Sequence, residues 1–394
     1  MIALSLIAAP FIVCKARVNC DGARESVRQS ERRTAEANSS RQKQVAKNRP
    51  VQPSRGLKCP AGTSRHRTQP SYTPANYALA CQKPDGTWHG PYTEWFDKST
   101  QSALGEYREG QPHGHWILWY PNGKKRSEGD YRQGKRQGRW TGYYDNGRRA
   151  FEGYFQEGTT DGLWTEWYRN GQKSTTGGYE GGEKQGFWTS WYANGQKESE
   201  GEFRGQEVSG PRNLVVPKRV GHWTFWYENG QRRAEGVYQD GKQHAAWIEW
   251  HDNGQIARKA TYRDGLIEGE WNEWHKNGRK AGEGTYRGGL AVGTSTRWYE
   301  NGQKTEQGAY RNGQRDGRWT RWYENGQVAE ESDYLAGELH GTQTIWLFTG
   351  QKIREEHYNR GVKHGLSTTW DQSGNLLRVE EYRDGKRVKL IEHE

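Results

Sequence analysis

The chain has 394 residues, of which only 31% are apolar, yet it contains 20 Trp, 22 Tyr and 52 Gly. Disordered chains are poor in aromatic residues, so this composition excludes a wholly disordered protein and favours many short strands joined by tight turns. The net charge is +11, but twelve Lys/Arg and four Asp/Glu lie in residues 15–58, a net +8 that leaves +3 for the rest. This near balance outside 15–58 disfavours nucleic acid as a partner of the folded part.

The first element is an apolar, uncharged run over residues 1–14, which Lys15 follows. Its length suits the core of a signal peptide and is too short for a bilayer span, so we predict no transmembrane segment. Val13 precedes Cys14, which disfavours a lipid anchor. We therefore expect an exported or envelope protein, with a cytoplasmic location as the alternative. Residues 15–56 are rich in Arg, Ser, Gln and Glu and predict a disordered basic linker.

The second element is a cap over residues 57–83 that contains Cys59 and Cys81. In an exported protein, a disulfide between these two cysteines is the natural interpretation. The cap is then expected to form a loop that covers the edge of the first hairpin. The segment has no CxxC pair and no clustered His, which disfavours a metal site.

The third element is a repeat domain over residues 84–394, whose units are aligned on one aromatic residue, here called the anchor or position 0. Every step between anchors is 24 residues except the step from Trp191 to Trp226, which is 35 because of an insert at about residues 207–217. Such a strict period is typical of repeat architectures. The anchors are Trp95, Trp119, Tyr143, Trp167, Trp191, Trp226, Trp250, Trp274, Trp298, Trp322, Trp346 and Trp370.

Each unit is predicted to be a β-hairpin followed by a loop. Asn-Gly stands at +3 and +4 in nine units, which predicts a type I′ turn. Gly at +15 and +19 predicts a loop from +14 to +19. We therefore predict an all-β fold, an elongated single-layer antiparallel β-meander of about twelve 24-residue hairpin repeats.

The predicted turn fixes which side chains share a face. Trp at −3 is expected to lie opposite Gly at +10, where the indole covers bare backbone. Because side chains alternate along a strand, the aromatic residues at +1 and +12 are expected to join that core face. The anchors lie on the other face with Thr at −2 and Glu at +9. The candidate binding residues on this face are Trp119, Trp167, Trp191, Trp226, Trp250, Trp274, Trp298 and Trp322.

The run WxxWYxNGQxxxEGxYxxGxxxG, seen from Trp223 to Gly241 and from Trp319 to Gly337, resembles the MORN-repeat variant of bacterial proteins, including the YwqK-type antitoxins. The resemblance covers about residues 84–394. It implies an antiparallel sheet of successive hairpins that serves as a scaffold for other proteins. The cap and the leader resemble exported members more than a small cytoplasmic antitoxin.

No catalytic, cofactor-binding or metal site is predicted. His recurs at +18, once per unit in five units, and Glu recurs at +9. A catalytic site needs convergent and different groups, so repeated single residues indicate structural positions instead.

The leading interpretation is a non-enzymatic scaffold with an unidentified protein partner. The insert contributes the candidate binding residues Leu214, Val215 and Val216, which are expected in a loop at one edge. One alternative is a module that binds cell-wall glycan through an exposed Trp face. The other is the antitoxin component of a toxin–antitoxin system.

Overall fold

The fold is one antiparallel sheet, seen in a computed structural model that describes residues 57–68, 77–209 and 214–392. The predictions for residues 1–14 and 15–56 lie outside the described residues. The sheet belongs to the compact unit Cys59–Glu394. Its strands are β1 Ser64–Thr68, β2 Tyr77–Gln82, β3 Trp88–Trp95, β4 Gln101–Arg108, β5 Gln111–Trp119, β6 Lys125–Arg132, β7 Lys135–Tyr143, β8 Arg149–Gln156, β9 Thr159–Trp167, β10 Lys173–Glu180, β11 Glu183–Trp191, β12 Lys197–Ser209, β13 Leu214–Trp226, β14 Arg232–Gln239, β15 Lys242–Trp250, β16 Ile256–Arg263, β17 Leu266–Trp274, β18 Lys280–Arg287, β19 Leu290–Trp298, β20 Lys304–Arg311, β21 Gln314–Trp322, β22 Val328–Leu335, β23 Glu338–Trp346, β24 Lys352–Asn359, β25 Val362–Trp370, β26 Leu376–Arg383 and β27 Lys386–Glu392.

Each strand pairs antiparallel with the next strand in the chain, from β1 with β2 to β26 with β27. The strands β3 to β26 form the twelve predicted hairpins, so the predicted all-β antiparallel meander is confirmed. β1 and β2 come from the cap and β27 follows the last hairpin. The cap is therefore not the loop that we predicted, because β2 extends the sheet by pairing with β3.

The Asn-Gly turns differ from the predicted type I′ turn. In the turn after β5, the Gly123 amide donates to the Tyr120 carbonyl at 2.9 Å, and the Tyr120 amide donates to the Lys124 carbonyl at 2.8 Å. Gly123 has a φ of 78°, whereas Asn122 has a negative φ. This is a type I turn followed by a left-handed glycine, which makes a three-residue loop.

The predicted register survives this difference in turn type. The pairing of β5 with β6 shifts by one residue between Leu118 and Trp119, which places one extra residue in β6. This bulge compensates for the third loop residue, so Trp116 still pairs with Gly129 as predicted.

The type I′ turns lie at the opposite ends of the strands, at +14 and +15. Arg132 pairs with Lys135, and the two residues between them, Gln133 and Gly134, have φ angles of 51° and 77°. The next strand begins at +16, so most of the predicted loop is strand. Gly114 at +19 has a φ of 65° and lies where the pairing of β4 with β5 shifts. It occupies a β-bulge rather than the end of a loop.

The core is a row of aromatic rings on the face predicted from the register. Tyr131 and Trp140 meet edge to face with their centroids 5.0 Å apart, and Trp140 is fully buried. Seven indoles cover the glycine of the preceding repeat rather than position +10 of their own hairpin. A Cβ on Gly129 would lie 2.3 Å from the ring of Trp140. The predicted indole-over-glycine packing therefore joins neighbouring repeats.

The aromatic core does not extend to the C-terminal repeats. At the core positions −3 and +10, polar residues replace Trp and Gly in the last repeats, and Ser332, Glu356, Ser367 and Glu380 are all buried. Gln343 pairs with Glu356 in β24, and Ser367 pairs with Glu380 in β26. Hydrogen bonds replace ring packing there, as described below.

Candidate functional surface

The predicted anchor residues lie together on one face but are not open aromatic platforms. All eight candidate Trp residues are half-buried. Six of their rings have a Lys or Arg from the preceding repeat 5.4–5.9 Å from the ring centroid. These rings belong to Trp167, Trp191, Trp226, Trp274, Trp298 and Trp322. A cation at this distance is attracted by the ring quadrupole.

Three of these six cations, Arg149, Lys197 and Lys280, also bind the glutamate at +9. Lys197 Nζ lies 2.7 Å from a carboxylate oxygen of Glu200 and 5.4 Å from the ring centroid of Trp226. In the second repeat, burial opposes ionisation of Glu128, but hydrogen bonds from Lys125 and Tyr143 outweigh it and lower the pKa of this carboxyl. The anchor face is therefore an alternating array of cations, carboxylates and half-buried rings.

The Asn-Gly edge is held by side chains that reach from one repeat to the next. The Tyr168 hydroxyl donates to the Trp191 carbonyl at 2.7 Å, and the Asn170 side-chain amide donates to the Ala193 carbonyl at 2.6 Å. The aromatic residue at +1 thus serves this contact and is absent from the ring contacts of the core, where we had placed it. Nine Asn residues make the equivalent bond. Sequence reasoning missed these inter-repeat bonds, although Tyr stands at +1 in seven of the nine units with Asn at +3, and His251 and His275 stand there in the other two.

The side chains at +18 have a structural role at the opposite edge. His340 Nδ1 accepts from the Arg360 amide at 3.4 Å, and Gln137 accepts from the Glu157 amide at 3.1 Å. Glu268 accepts from the Gly288 amide at 2.6 Å. Different acceptors therefore satisfy the same amide of the next turn, and among the five recurring histidines His340 and His364 do so.

The insert lengthens a hairpin and does not form the expected loop. The strands β12 and β13 have 13 residues each, and their pairing continues past the position where other hairpins turn, to Val208 with Val215 and Ser209 with Leu214. Val215 is 60% exposed and Val216 is half-buried. The surroundings of the Leu214 side chain lie outside the described residues. We call the paired residues 204–209 and 214–218 the extended hairpin.

A disulfide joins Cys59 and Cys81, as predicted for an exported chain. It ties the residues before β1 to the end of β2. The ring of Pro60 then lies against Gly90 in β3, where an added Cβ would be 2.7 Å from the proline Cδ. The disulfide and Pro60 thus anchor the cap to the first hairpin.

The described residues contain neither a cluster of metal-binding side chains nor a membrane-spanning helix. In residues 57–68, 77–209 and 214–392, no group of three or more His, Cys, Asp or Glu is placed to hold a metal ion. Nor does this part of the chain have a helix that is long and apolar enough to cross a membrane.

Five of these hairpins are similar to a known repeat family. The description "MORN repeat variant" matches residues 112–133, 219–240, 243–264, 291–312 and 315–336. All five matches begin seven residues before an anchor and end fourteen residues after it, so each spans one hairpin with its Asn-Gly turn. No curated protein matches the chain.

One similar solved structure is titled "Crystal Structure of TcdB2-TccC3 without hypervariable C-terminal region". It is 11% identical, with a TM-score of 0.15, over 81% of this chain and 17% of that chain. This chain thus spans about a sixth of the length of that one. The predicted resemblance to the MORN-repeat variant is confirmed for five repeats of this chain.

Proposed function

We propose that the protein is a non-enzymatic scaffold that binds a protein partner through the extended hairpin. The observation that carries this proposal is the continued pairing of β12 with β13 past the turn position of the other repeats, together with the exposed Val215. A two-stranded hairpin is only marginally stable in water by itself. An apolar side chain exposed on such an arm is expected to be covered by a partner.

The proposal is tested by removing the arm without disturbing the repeat. Deleting residues 207–217 restores the 24-residue spacing, and Gln206→Gly then gives the Gly-Gly turn that the chain already uses at Gly181 and Gly182. Affinity capture with the full chain should retain a protein that the shortened chain does not. As a control, Val362→Ser changes an exposed valine at the turn edge of another repeat and should leave capture unchanged. Equal capture by the full and shortened chains would contradict the proposal.

We also propose an exported or envelope location, which the Cys59–Cys81 disulfide supports because such bonds persist in oxidising compartments. Thiol labelling of the native protein with and without reductant should show these two cysteines labelled only after reduction. Sequencing the mature N terminus from fractionated cells then locates any cleavage after the apolar run.

A glycan-binding face is a second candidate, favoured by the regular half-exposed Trp rings. The cations that lie over six of these rings compete with a stacking sugar, which is why we rank it second. Titration with cell-wall oligosaccharides should shift Trp fluorescence if the rings bind sugar. Unchanged fluorescence across a panel of such oligosaccharides removes this candidate.

The antitoxin function rests on the resemblance to YwqK-type proteins alone. It predicts reduced Cys59 and Cys81 in the cell and a toxin gene beside this one. Native disulfide at these cysteines would count against it.

A further inference from the structure

The anchor face carries a further row of side chains, which lies two residues before Thr −2 on each strand. The chemical character of this row is different in the middle of the chain. This row consists of the cross-strand pairs between positions −4 and +11. In two other repeats such pairs are ionic: His115 lies 2.8 Å from Asp130, and Arg318 lies 3.1 Å from Asp333. Across β7 to β12 the row is mainly apolar and exposed. It runs, in strand order, through Arg139, Tyr154, Leu163, Gly178, Phe187 and Glu202.

The apolar members of this row protrude into solvent. Tyr154 is 40% exposed, Leu163 is 63% exposed and Phe187 is 61% exposed. Leu163 pairs with Gly178, which has no side chain and leaves a slot between Leu163 on β9 and Phe187 on β11. Two strand spacings separate these strands, about 9.6 Å, so the slot admits one further apolar side chain. Exposed apolar patches of this kind mark interaction sites.

The order of the row makes it complementary to itself. Arg139 stands at one end and Glu202 at the other, and Leu163 and Gly178 form the central pair. When the row is reversed and laid face to face on itself, Arg139 meets Glu202, Tyr154 meets Phe187, and Leu163 meets Gly178. These contacts are a salt bridge, an aromatic pair and a side chain that enters the slot.

We propose that the occupant of this row is a second copy of the chain, packed face to face about a two-fold axis parallel to the strands between β9 and β10. A two-fold contact requires a self-complementary patch, and this row provides one. The inference goes beyond the proposed scaffold function and does not depend on it, because the extended hairpin takes no part in the contact.

The two neighbouring rows of the same face fit the same axis. In the row formed by Thr at −2 and Glu at +9, the two-fold rotation places Glu152 over the partner's Thr189. It also places Glu200 over the partner's Thr141. In the anchor row, reversal places Arg149 over the partner's Trp191. No carboxylate faces a carboxylate in these rows, and each cation faces an aromatic ring.

The size of the contact indicates a reversible dimer. Six strands at roughly 4.8 Å and about 20 Å of strand length give about 600 Å² per copy, or roughly 1,200 Å² in total. This lies at the lower end of specific protein interfaces, so we expect a dissociation constant of about micromolar order.

The test is sedimentation equilibrium of the full chain as a function of concentration. We expect a monomer–dimer equilibrium that Leu163→Lys weakens by at least about tenfold, because each dimer contains two such contacts. Leu366→Lys is the matched control, since Leu366 occupies the same repeat position, is 47% exposed and pairs with Glu381 outside the row. A chain that stays monomeric at all concentrations, or equal effects of the two variants, overturns the proposal.

A charge exchange separates a contact between copies from damage to the fold. Arg139→Glu and Glu202→Arg should each weaken the dimer, and each also breaks an ion pair within one copy, Arg139 with Glu152 and Arg204 with Glu202, both at 2.7 Å. The double variant should therefore recover part of the affinity. Five strand spacings separate the two residues in one copy, about 24 Å, which exceeds the screening length of roughly 8 Å at physiological salt. Recovery can therefore come only from a contact between copies, and additive losses in the double variant would refute the two-fold arrangement.

Discussion

The middle and the end of the sheet keep the same backbone with different interiors. From Trp116 to Trp271 the core face is a row of aromatic rings, and the described hydrophobic clusters end with the side chain of Tyr286. From Val328 onward the same positions hold Ser332, Gln343 and Glu356. The hairpins and the turns are retained, whereas the Tyr and Asn contacts between repeats end with Tyr323 and Asn325. The turns and the backbone ladder therefore define the fold, while the core chemistry can change.

The polar segment is held by hydrogen bonds that the aromatic segment lacks. Glu356 is only 5% exposed, and its carboxylate accepts from Lys363 and Tyr358 at 2.7 Å and from Ser367 at 3.3 Å. Gln343 donates to Glu330 at 2.9 Å. Such a network is stable only while its carboxylates are charged and every partner is present. The two segments should consequently respond differently to truncation and to acid.

The largest expected effect is truncation of a core indole. Trp140→Ala removes a fully buried ring that covers Gly129, and should lower the free energy of unfolding by about 3–5 kcal/mol. Gln343→Ala at the equivalent position of the polar segment should cost about 1–3 kcal/mol, because it removes hydrogen bonds instead of ring packing. Urea denaturation followed by circular dichroism measures both. Equal losses would show that the rings contribute no more than the polar network.

Acid should open the polar segment first. Burial opposes ionisation of Glu356, but the hydrogen bonds from Lys363 and Tyr358 outweigh it and hold its pKa below the ordinary value of 4.5. A lowered pKa gives stability that is present at neutral pH and is lost as the pH falls from that value through the folded pKa. A hydrogen bond from Arg387 likewise lowers the pKa of Glu380.

As the pH falls, the backbone amides of residues 352–392 should therefore lose protection from hydrogen exchange before those of residues 116–271. The measured exchange rates are corrected for the intrinsic effect of pH. Glu356→Gln keeps the shape but cannot ionise, so it should lower protection at neutral pH and reduce the pH dependence. Uniform loss across both segments would contradict this difference between them.

The sequence was sufficient for the hairpins and their register because both depend on periodic residues. The pairing of Trp116 with Gly129 was predicted correctly from a wrong turn type, since the bulge in β6 offsets the three-residue loop. The predicted type I′ turn at Asn-Gly was wrong because Asn-Gly also suits a type I turn followed by a left-handed glycine. Gln133 and its equivalents gave no sign of a positive φ.

The candidate surface was only partly predictable. The anchors were placed on the correct face, but their cation partners come from the preceding repeat, and contacts between repeats follow from the twist of the sheet rather than from one unit. The polar core could have been noticed, since Glu356 and Glu380 interrupt the glycine position at +10. The row that contains Leu163 and Phe187 could not be identified from the sequence, because its side chains come from six strands whose pairing must first be known.

A smaller effect is expected from the Tyr contacts between repeats, the last of which reaches from Tyr323 to the first hairpin of the polar segment. Tyr168→Phe removes the hydroxyl that donates to the Trp191 carbonyl and should cost about 0.5–1.5 kcal/mol. Tyr323→Phe removes the equivalent bond to Trp346, next to the polar segment. If this bond contributes equally in both places, the two variants should lose similar stability in urea denaturation. A much larger loss for Tyr323→Phe would show that the polar segment depends more on its edge.

The smallest expected effect is a gain of stability at a strained residue. Ala245 stands at +19, where most repeats have Gly, and its φ is 58°. A left-handed conformation costs an alanine roughly 1–2 kcal/mol, whereas glycine adopts it freely but loses more entropy on folding. Ala245→Gly should therefore stabilise the protein by about 0.5–1 kcal/mol. The matched control is Ala246→Gly at the next position, whose φ is not positive and which should destabilise the protein. Because the bulge at +19 recurs in both segments, a gain at Ala245 but not at Ala246 would show that the backbone of this bulge, and not the chemistry of the core beneath it, sets the local stability.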